Sequence, residues 1–296
     1  MDSSGWAFRS VDGLDFYHLA LPGSRSETQR HKDTEVQEGS NSHLSPALVC
    51  LTRSCPSVPE GVSRIKQVLG LSAVITMKQT HSDTVLPIDS GAVSPEGLVG
   101  DGAFTSRAGI GLAVKVADCL PVFVYDVLCR CVGIAHCGWR GTAARLAERL
   151  VRTMSERLSV PLSDIRFALG PCICPDCYPV GEEVVDRFKS DFPSAESFFR
   201  PLTLSESTPG LGVGLDIRAA NRRLLKGLGL SELPGLELCT REYKDRFYSA
   251  RAQNGGGHNL ALIALRMKHQ GTETMTKRNE PPRHKDTRKT ENAAWS

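Results

Sequence analysis

Long apolar runs are missing from this 296-residue chain: no stretch reaches the roughly 18 to 20 uninterrupted apolar residues that a membrane helix requires. The start, MDSSGWAFRSVDGLDF, has neither the basic segment nor the apolar segment of a secretory leader. Both absences point to a cytoplasmic protein with no membrane partner. Aromatic residues are scarce at 6%, but hydrophobic residues reach 40%, enough for a packed core, so disorder throughout is excluded. An excess of one charge is also lacking outside the C-terminal segment. The net +3 resides in residues 268–296, where Lys268, Lys277, Arg278, Arg283, Lys285, Arg288 and Lys289 outnumber Glu273, Glu280, Asp286 and Glu291. The rest of the chain is balanced, with no basic face of the kind that nucleic acid selects. With neither heptads nor a long exposed apolar stripe, a monomer is expected.

Cysteine, by contrast, is plentiful. Ten cysteines in a chain without a secretory signal read as thiols and metal ligands more than as a disulfide framework. Residues 23–45 are almost free of apolar side chains and read as a mobile polar loop, and residues 268–296 read as a disordered charged tail. Residues 1–267 are then expected to form a single domain.

Within it, residues 6–21 carry one or two opening strands. Ile110, Leu112, Val114 and Val116 alternate as in a half-buried strand running into Asp118 and Cys119. PVFVYDV (121–127) and RCVGIAH (130–136) are two further strands. Leu146, Leu150, Val151, Met154 and Leu158 share one face of a helix that Thr142 caps, and Asp216 caps another through Leu225. LELC (236–239) and LALIAL (260–265) read as closing strands. The mixture predicts an α+β layered sandwich of mixed β-sheets and helices, without regular βαβ alternation.

Three segments place a reactive side chain at a strand end or turn: KQTHSDTV with His81, KVADCLPVFV with Cys119, and GIAHCGWRG with His136. Two imidazoles and a thiolate suit Zn²⁺ and leave a fourth position open, which is a catalytic ligand count. Spacing alone leaves open the plainer reading of hydrogen-bonded histidines and a small buried cysteine. GWRGT (138–142) couples a glycine turn to a helix start, so Arg140 and the amides after Gly141 are candidates for an oxyanion such as phosphate. Arg251 in FYSARAQNGGGH is a second anion candidate, beside glycines that allow close approach to a ligand. Cys172, Cys174 and Cys177, with Cys137 and Cys239 elsewhere, make a second metal site conceivable, but without a fourth nearby Cys or His the segment is read as a tight loop walling the cleft.

QTHSD, ADCLPV, AHCGWRG, GPCICPDCYPVGEEV, DI, CT and FYSAR occur in that order. Together they resemble the YfiH family, the laccase-domain or multicopper polyphenol oxidase-like proteins, now understood as purine nucleoside phosphorylases. The resemblance runs from about Leu69 to Arg266. It implies a YfiH-like sandwich, a zinc site of His81, Cys119 and His136, and phosphorolysis of adenosine, inosine, guanosine and methylthioadenosine, with adenosine deamination in some members. Purine nucleosides and inorganic phosphate are the implied partners, and Arg140 and Arg251 become candidates for the phosphate.

The chain also departs from that pattern. The family's early S-T-R-x-G-G run is reduced to LTRS (51–54), and the ending FYSARAQNGGGHN loses an Arg and an Asp while placing His258 near the final family Arg. A four-copper oxidase is excluded by counting, since imidazole-rich copper ligation on that scale needs on the order of ten histidines. This chain has 8, with His31, His43, His269 and His284 in the polar segments. Adventitious copper at His81, Cys119 and His136 remains compatible with the residues. Two other readings stay open: a metal-free thiol hydrolase or deamidase using Cys119 with His81 or His136 as base, and a non-enzymatic zinc or redox sensor built on Cys172, Cys174 and Cys177.

Overall fold

The computed structural model of the chain describes residues 6–11, 13–20, 44–55, 57–88, 97–202, 212–253 and 256–267. The polar stretch from 23 to 43 and the segment 268–296, expected as loop and tail, lie outside the described residues, whereas Leu44 and Ser45 already belong to a strand.

Strands β1 (Trp6–Val11), β2 (Leu14–Ala20) and β3 (Leu44–Leu51) are followed by helix α1 (Val58–Val68) and strands β4 (Ala73–Thr76), β5 (Val85–Pro87), β6 (Gly102–Thr105) and β7 (Ile110–Val116). Then come β8 (Leu120–Asp126), β9 (Val132–Cys137), α2 (Trp139–Ala143), α3 (Leu146–Leu158), β10 (Ile165–Leu169), β11 (Pro179–Val180) and α4 (Glu182–Asp191). The chain continues through β12 (Phe199–Pro201), β13 (Val213–Leu215), α5 (Ile217–Gly227), β14 (Ser231–Glu232), α6 (Ala250–Gln253) and β15 (Asn259–Met267).

Two six-stranded sheets, ordered β1-β2-β3-β15-β7-β4 and β14-β10-β8-β9-β6-β5, stack face to face, and β11-β13-β12 form a small third sheet. Leu112, Val114, Ile263 and Leu265 of the first large sheet pack against Phe123, Tyr125, Val132 and Ile134 of the second. The outer face of the first sheet, with Val49, Leu51, Leu262 and Ala264, is covered by Ile65 of α1. That of the second, with Val122, Val124 and Phe167, is covered by Leu150 and Met154 of α3, Phe188 of α4 and Leu224 of α5. The result is a four-layer α-β-β-α sandwich.

Burial on both faces explains why β8 and β15 read as continuous apolar runs. It also corrects the half-buried reading of β7, in which only Lys115 is not buried. Gly111 of that strand lies so close beneath Leu71 and Leu262 that a Cβ would meet Leu71 Cδ1 at 2.9 Å.

Helix α1 has a Ser57 hydroxyl that accepts from the Glu60 amide, and Asp216 accepts from the Ala219 amide to cap α5 as expected. Thr142 does not act as a cap. It lies buried within the one-turn α2, its hydroxyl accepting from Asn221 Nδ2 at 2.8 Å, and the chain breaks at Arg145, with φ 59°, before α3 starts. LELC is not a strand either: the segment makes a single bridge, Cys172 to Cys239. Pro234 and Gly235 precede it, and its carbonyls and amides are drawn to Leu169 and Cys172 at a sheet end.

Candidate metal centre and cleft

His81 lies on the connection from β4 in the first sheet to β5 in the second. Its backbone is left-handed, with φ 58°, a conformation uncommon outside glycine, and its surroundings hold it there. The holder is Asp101, a buried carboxylate immediately before β6. It accepts from the amides of Thr80 at 3.0 Å, His81 at 3.1 Å and Ser82 at 2.8 Å, and from the Ser82 hydroxyl at 2.8 Å. The same carboxylate lies 2.9 Å from His136 Nδ1. Burial opposes ionisation of Asp101, but the hydrogen bonds from His136, Ser82 and Thr80 outweigh it and hold the carboxyl below the usual range.

Cys119 lies on a second crossing between the sheets, residues 117–119, between β7 and β8. Asp118 makes the turn with φ 84°. Its buried carboxylate accepts from the Thr240 hydroxyl at 2.6 Å and the Arg251 amide at 2.8 Å, and its carbonyl from the Ile173 amide at 3.0 Å. One residue thereby ties three loops to the cysteine. Burial, followed by the charge of Asp118, pushes the Cys119 thiol up to about 12.

His136 sits near the end of β9, buried, opposite Pro121 of β8. With Nδ1 engaged by Asp101, Nε2 remains for a ligand, the carboxylate–histidine arrangement that fixes ring orientation in metal sites. The His81 and His136 ring centroids are 4.9 Å apart, and Cys119 Sγ is 4.0 Å from His81 Nε2. Burial, then the neighbouring His136, lowers the His81 pKa and favours the neutral, ligating imidazole. One donor atom from each of the three residues lies within 4.8 Å of the others. Zinc bond lengths of about 2.0 to 2.3 Å bring tetrahedral donors to roughly 3.5 Å, so small side-chain adjustments suffice and the set fits a thiophilic ion. Gly138 completes the cradle: a Cβ there would lie 2.9 Å from Cys119 Sγ and 3.2 Å from His81 Cδ2.

The three donors open onto a cleft of about 290 Å³ lined also by Gln79, Lys115, Ala117, Ala250 and His258. The Gln79 amide is committed to the backbone of Lys115, donating and accepting at 2.8 Å. Burial, then the charges of Lys115 and His136, lowers the His258 pKa. Arg140 and Arg251 are exposed and stand outside this lining. Arg140 lies over the Trp139 ring at 4.2 Å, and Arg251 over Tyr178 at 5.0 Å while donating to the Pro179 carbonyl. Both lower the pKa of Tyr178, although burial and Cys119 raise it overall. The Thr142 amide is spent on the Gly138 carbonyl, so the one-turn α2 offers less to an anion than GWRGT suggests. Gly257 makes its close approach to the Tyr248 ring, with a Cβ distance of 2.8 Å, and so serves packing.

A family model described as multi-copper polyphenol oxidoreductase laccase matches residues 54–266. The chain belongs to this laccase-domain, or YfiH, family. Purine nucleoside phosphorylase YlmD of Geobacillus stearothermophilus is 38% identical over 169 residues, 56% of this chain and 60% of that protein. The alignment thus spans three fifths of that relative's length. Adenosine deaminase RL5, from an unknown prokaryotic organism, is 34% identical over 193 residues, covering 61% of this chain and 70% of its own. A purine nucleoside phosphorylase of Deinococcus radiodurans is 32% identical over 220 residues, covering 70% and 77% respectively. The crystal structure of Bacillus licheniformis hypothetical protein YfiH superposes with a TM-score of 0.64 at 25% identity, over 78% of this chain and 98% of that one. That of YlmD from G. stearothermophilus gives 0.60 at 27%, over 90% and 98%.

Within this laccase-domain chain, the described residues include four histidines, and two of them, His81 and His136, converge with Cys119. Sequence reading missed Asp101 and Asp118 as the residues that hold the centre. Asp101 carried a faint signal, an acidic residue between two glycines just before a strand; Asp118 sat within a quoted motif but next to the more conspicuous cysteine. Gln79 and Lys115 were also missed, because pairing through a side-chain amide leaves no periodic trace.

Proposed function

We propose that the chain is a zinc-dependent purine nucleoside phosphorylase that acts on adenosine, inosine, guanosine and methylthioadenosine. The observation that carries this reading is the convergence of His81, Cys119 and His136 over an open cleft, with Asp101 behind both histidines. The printed names of the relatives support the substrate class.

His81, Cys119 and His136 would hold the ion. When bound, zinc supplies a Lewis acid that stabilises negative charge on an oxygen. Asp101 keeps His136 in the tautomer with Nε2 free and holds the His81 turn; Asp118 fixes Cys119 and the two loops of Thr240 and Arg251. Arg140 and Arg251 bind phosphate at the rim, where two guanidinium forks suit its oxygens. In phosphorolysis a phosphate oxygen bonds to the ribose C1′ and the C1′–N9 bond breaks. Its electron pair passes to the purine, which takes up a proton and leaves as free base beside ribose 1-phosphate. His258, its pKa lowered by burial, and Lys115 face the cleft and are the residues available to hydrogen-bond the nucleoside.

Adenosine deamination by the same centre is the second reading, favoured by the deaminase relative. The metal-free thiol reading is disfavoured because burial and Asp118 keep Cys119 protonated at neutral pH, the wrong state for a nucleophile.

The test is incubation with adenosine, with and without phosphate, followed by chromatography of adenine, inosine and hypoxanthine. Phosphate-dependent adenine that disappears in Cys119→Ala and after chelation is expected. Inosine formed without phosphate would replace phosphorolysis by deamination. Turnover that survives chelation but not thiol alkylation would overturn the zinc reading.

A further inference from the structure

A second cluster of metal-ligating side chains lies where the loop after β10 meets the loop before α6. Cys174, Cys177, Cys239 and Glu242 each present one donor atom, all within 4.8 Å of one another. The order along the chain is Cys-x-x-Cys followed by Cys-x-x-Glu. Paired knuckles of this spacing are the usual form of a structural zinc site, with a carboxylate here in place of the fourth thiol. The sequence reading sets such a site aside for want of a fourth nearby Cys or His; the structure supplies Cys239 and Glu242, on a knuckle more than sixty residues beyond the first.

The local backbone is folded as knuckles require. The Cys177 amide returns to the Cys174 carbonyl at 3.0 Å, and the Tyr243 amide to the Cys239 carbonyl at 3.0 Å, so each pair closes on a tight turn. The Cys174 amide donates to Cys239 Sγ at 3.3 Å, the N–H to sulfur contact that supports a thiolate ligand. The sulfurs of Cys174 and Cys177 lie 3.7 and 3.9 Å from Glu242 Oε1. All ten cysteines are free thiols, so no disulfide competes for these sulfurs.

The surroundings supply a reason for a staple. Among the described residues, Ile173, Cys177 and Cys239 form a small buried apolar cluster between the two loops, with Cys174 and Tyr178 against it. Three buried side chains are too few to fix two irregular segments, which is the circumstance in which small units rely on a metal. The loops are otherwise tied by backbone pairing around the Cys172–Cys239 bridge and by the bonds of Ile173 and Thr240 to Asp118.

We propose that Cys174, Cys177, Cys239 and Glu242 form a second metal site that binds Zn²⁺ with four protein ligands and a structural role. A closed ligand set leaves no position for substrate, so this ion differs in kind from one held by His81, Cys119 and His136. Its place in the molecule gives it an indirect bearing on the cleft. The same loops carry Ile173 and Thr240, both bonded to Asp118, and Tyr178, on which Arg251 rests. The staple therefore holds the wall against which Cys119 is positioned.

The experiment is elemental analysis of the full chain after exhaustive dialysis in excess Zn²⁺, with variants that separate the two sites. Wild type is expected to retain two zinc ions, His81→Ala/His136→Ala one, and Cys174→Ser/Cys177→Ser one. Glu242→Ala, a change at an exposed side chain, should weaken retention at the second site by more than about tenfold, since losing even an outer partner of a ligand costs that much. Thiol alkylation followed by mass spectrometry gives an independent reading: Cys174 and Cys177 should be protected with zinc and labelled after chelation, in wild type and in the histidine variant alike. A single zinc in wild type that Cys174→Ser/Cys177→Ser leaves in place would overturn the proposal. So would equal labelling of Cys174 and Cys177 with and without Zn²⁺, or isolation of the chain with these cysteines joined as a disulfide. Because the histidine variant lacks the first site, these outcomes are independent of whether the chain is a phosphorylase.

Discussion

Asp101 concentrates more of the candidate centre than any ligand does, since it meets both histidines and bears no metal itself. Asp101→Asn keeps the size of the side chain but removes the charge and two acceptor sites, so its NH2 opposes donors either at His136 and the His81 amide or at Thr80 and Ser82. Zinc affinity at the first site should fall about 10- to 100-fold, as for other carboxylate partners of ligating histidines, with phosphorolysis falling in parallel. Titration with a competing chromophoric chelator measures the first, chromatography the second. Gly138→Ala probes the cradle from the other side: the methyl must displace the thiol or the imidazole. It is expected to lower activity at least about tenfold, the scale of a ligand displaced by a fraction of an ångström, while the circular dichroism spectrum is unchanged. At this scale the convergence of His81, Cys119 and His136 was legible because each is a chemically distinctive residue at a strand end or turn. Asp101 was not, since an acid beside glycine looks like any turn until the fold brings the turn against His81.

The β8–β9 hairpin carries Cys119 and His136 at one end and is fastened at the other by Arg130. Its guanidinium meets Asp126 and Asp164, each at 2.7 Å, and Asp126 is fully buried. Arg130→Met leaves that carboxylate with only the residue-130 amide as donor and no opposite charge, and should cost about 3 kcal/mol, at the low end for a broken buried pair because Arg130 keeps some solvent contact. Denaturant unfolding should show the loss, with zinc affinity at the distant end of the hairpin unchanged. The elements themselves were partly legible. β8, β9, β15 and α5 announce themselves through apolar runs, a 3.6-residue pattern and an Asp216 cap. The start of α3 did not, because Thr142 is an excellent cap by type yet is taken by Asn221, and the break falls at Arg145 instead. LELC alternates like a strand, but Pro234 and Gly235 before it and a single bridge partner leave it irregular.

For the molecule as a whole, a layered α+β sandwich followed from the mixture of strand and helix patterns, whereas the number of layers and the pairing of β15 between β3 and β7 did not, since contacts between segments far apart in the chain leave no local mark. Chelation should lower the melting temperature and added Zn²⁺ should restore it in a concentration-dependent manner, because an ion bound only by the folded state stabilises it by mass action. Differential scanning calorimetry with and without chelator checks this; an unchanged transition would mean that neither cluster holds metal in the native chain. His81 and Cys119 both lie on connections that leave the first sheet for the second, and His136 lies within the second. The donors thus straddle the seam between the sheets. Retention of an ion held there would gauge whether the two sheets are docked: a compact state in mild denaturant at neutral pH that keeps its strands but loses side-chain packing would retain its far-ultraviolet signal and release the metal.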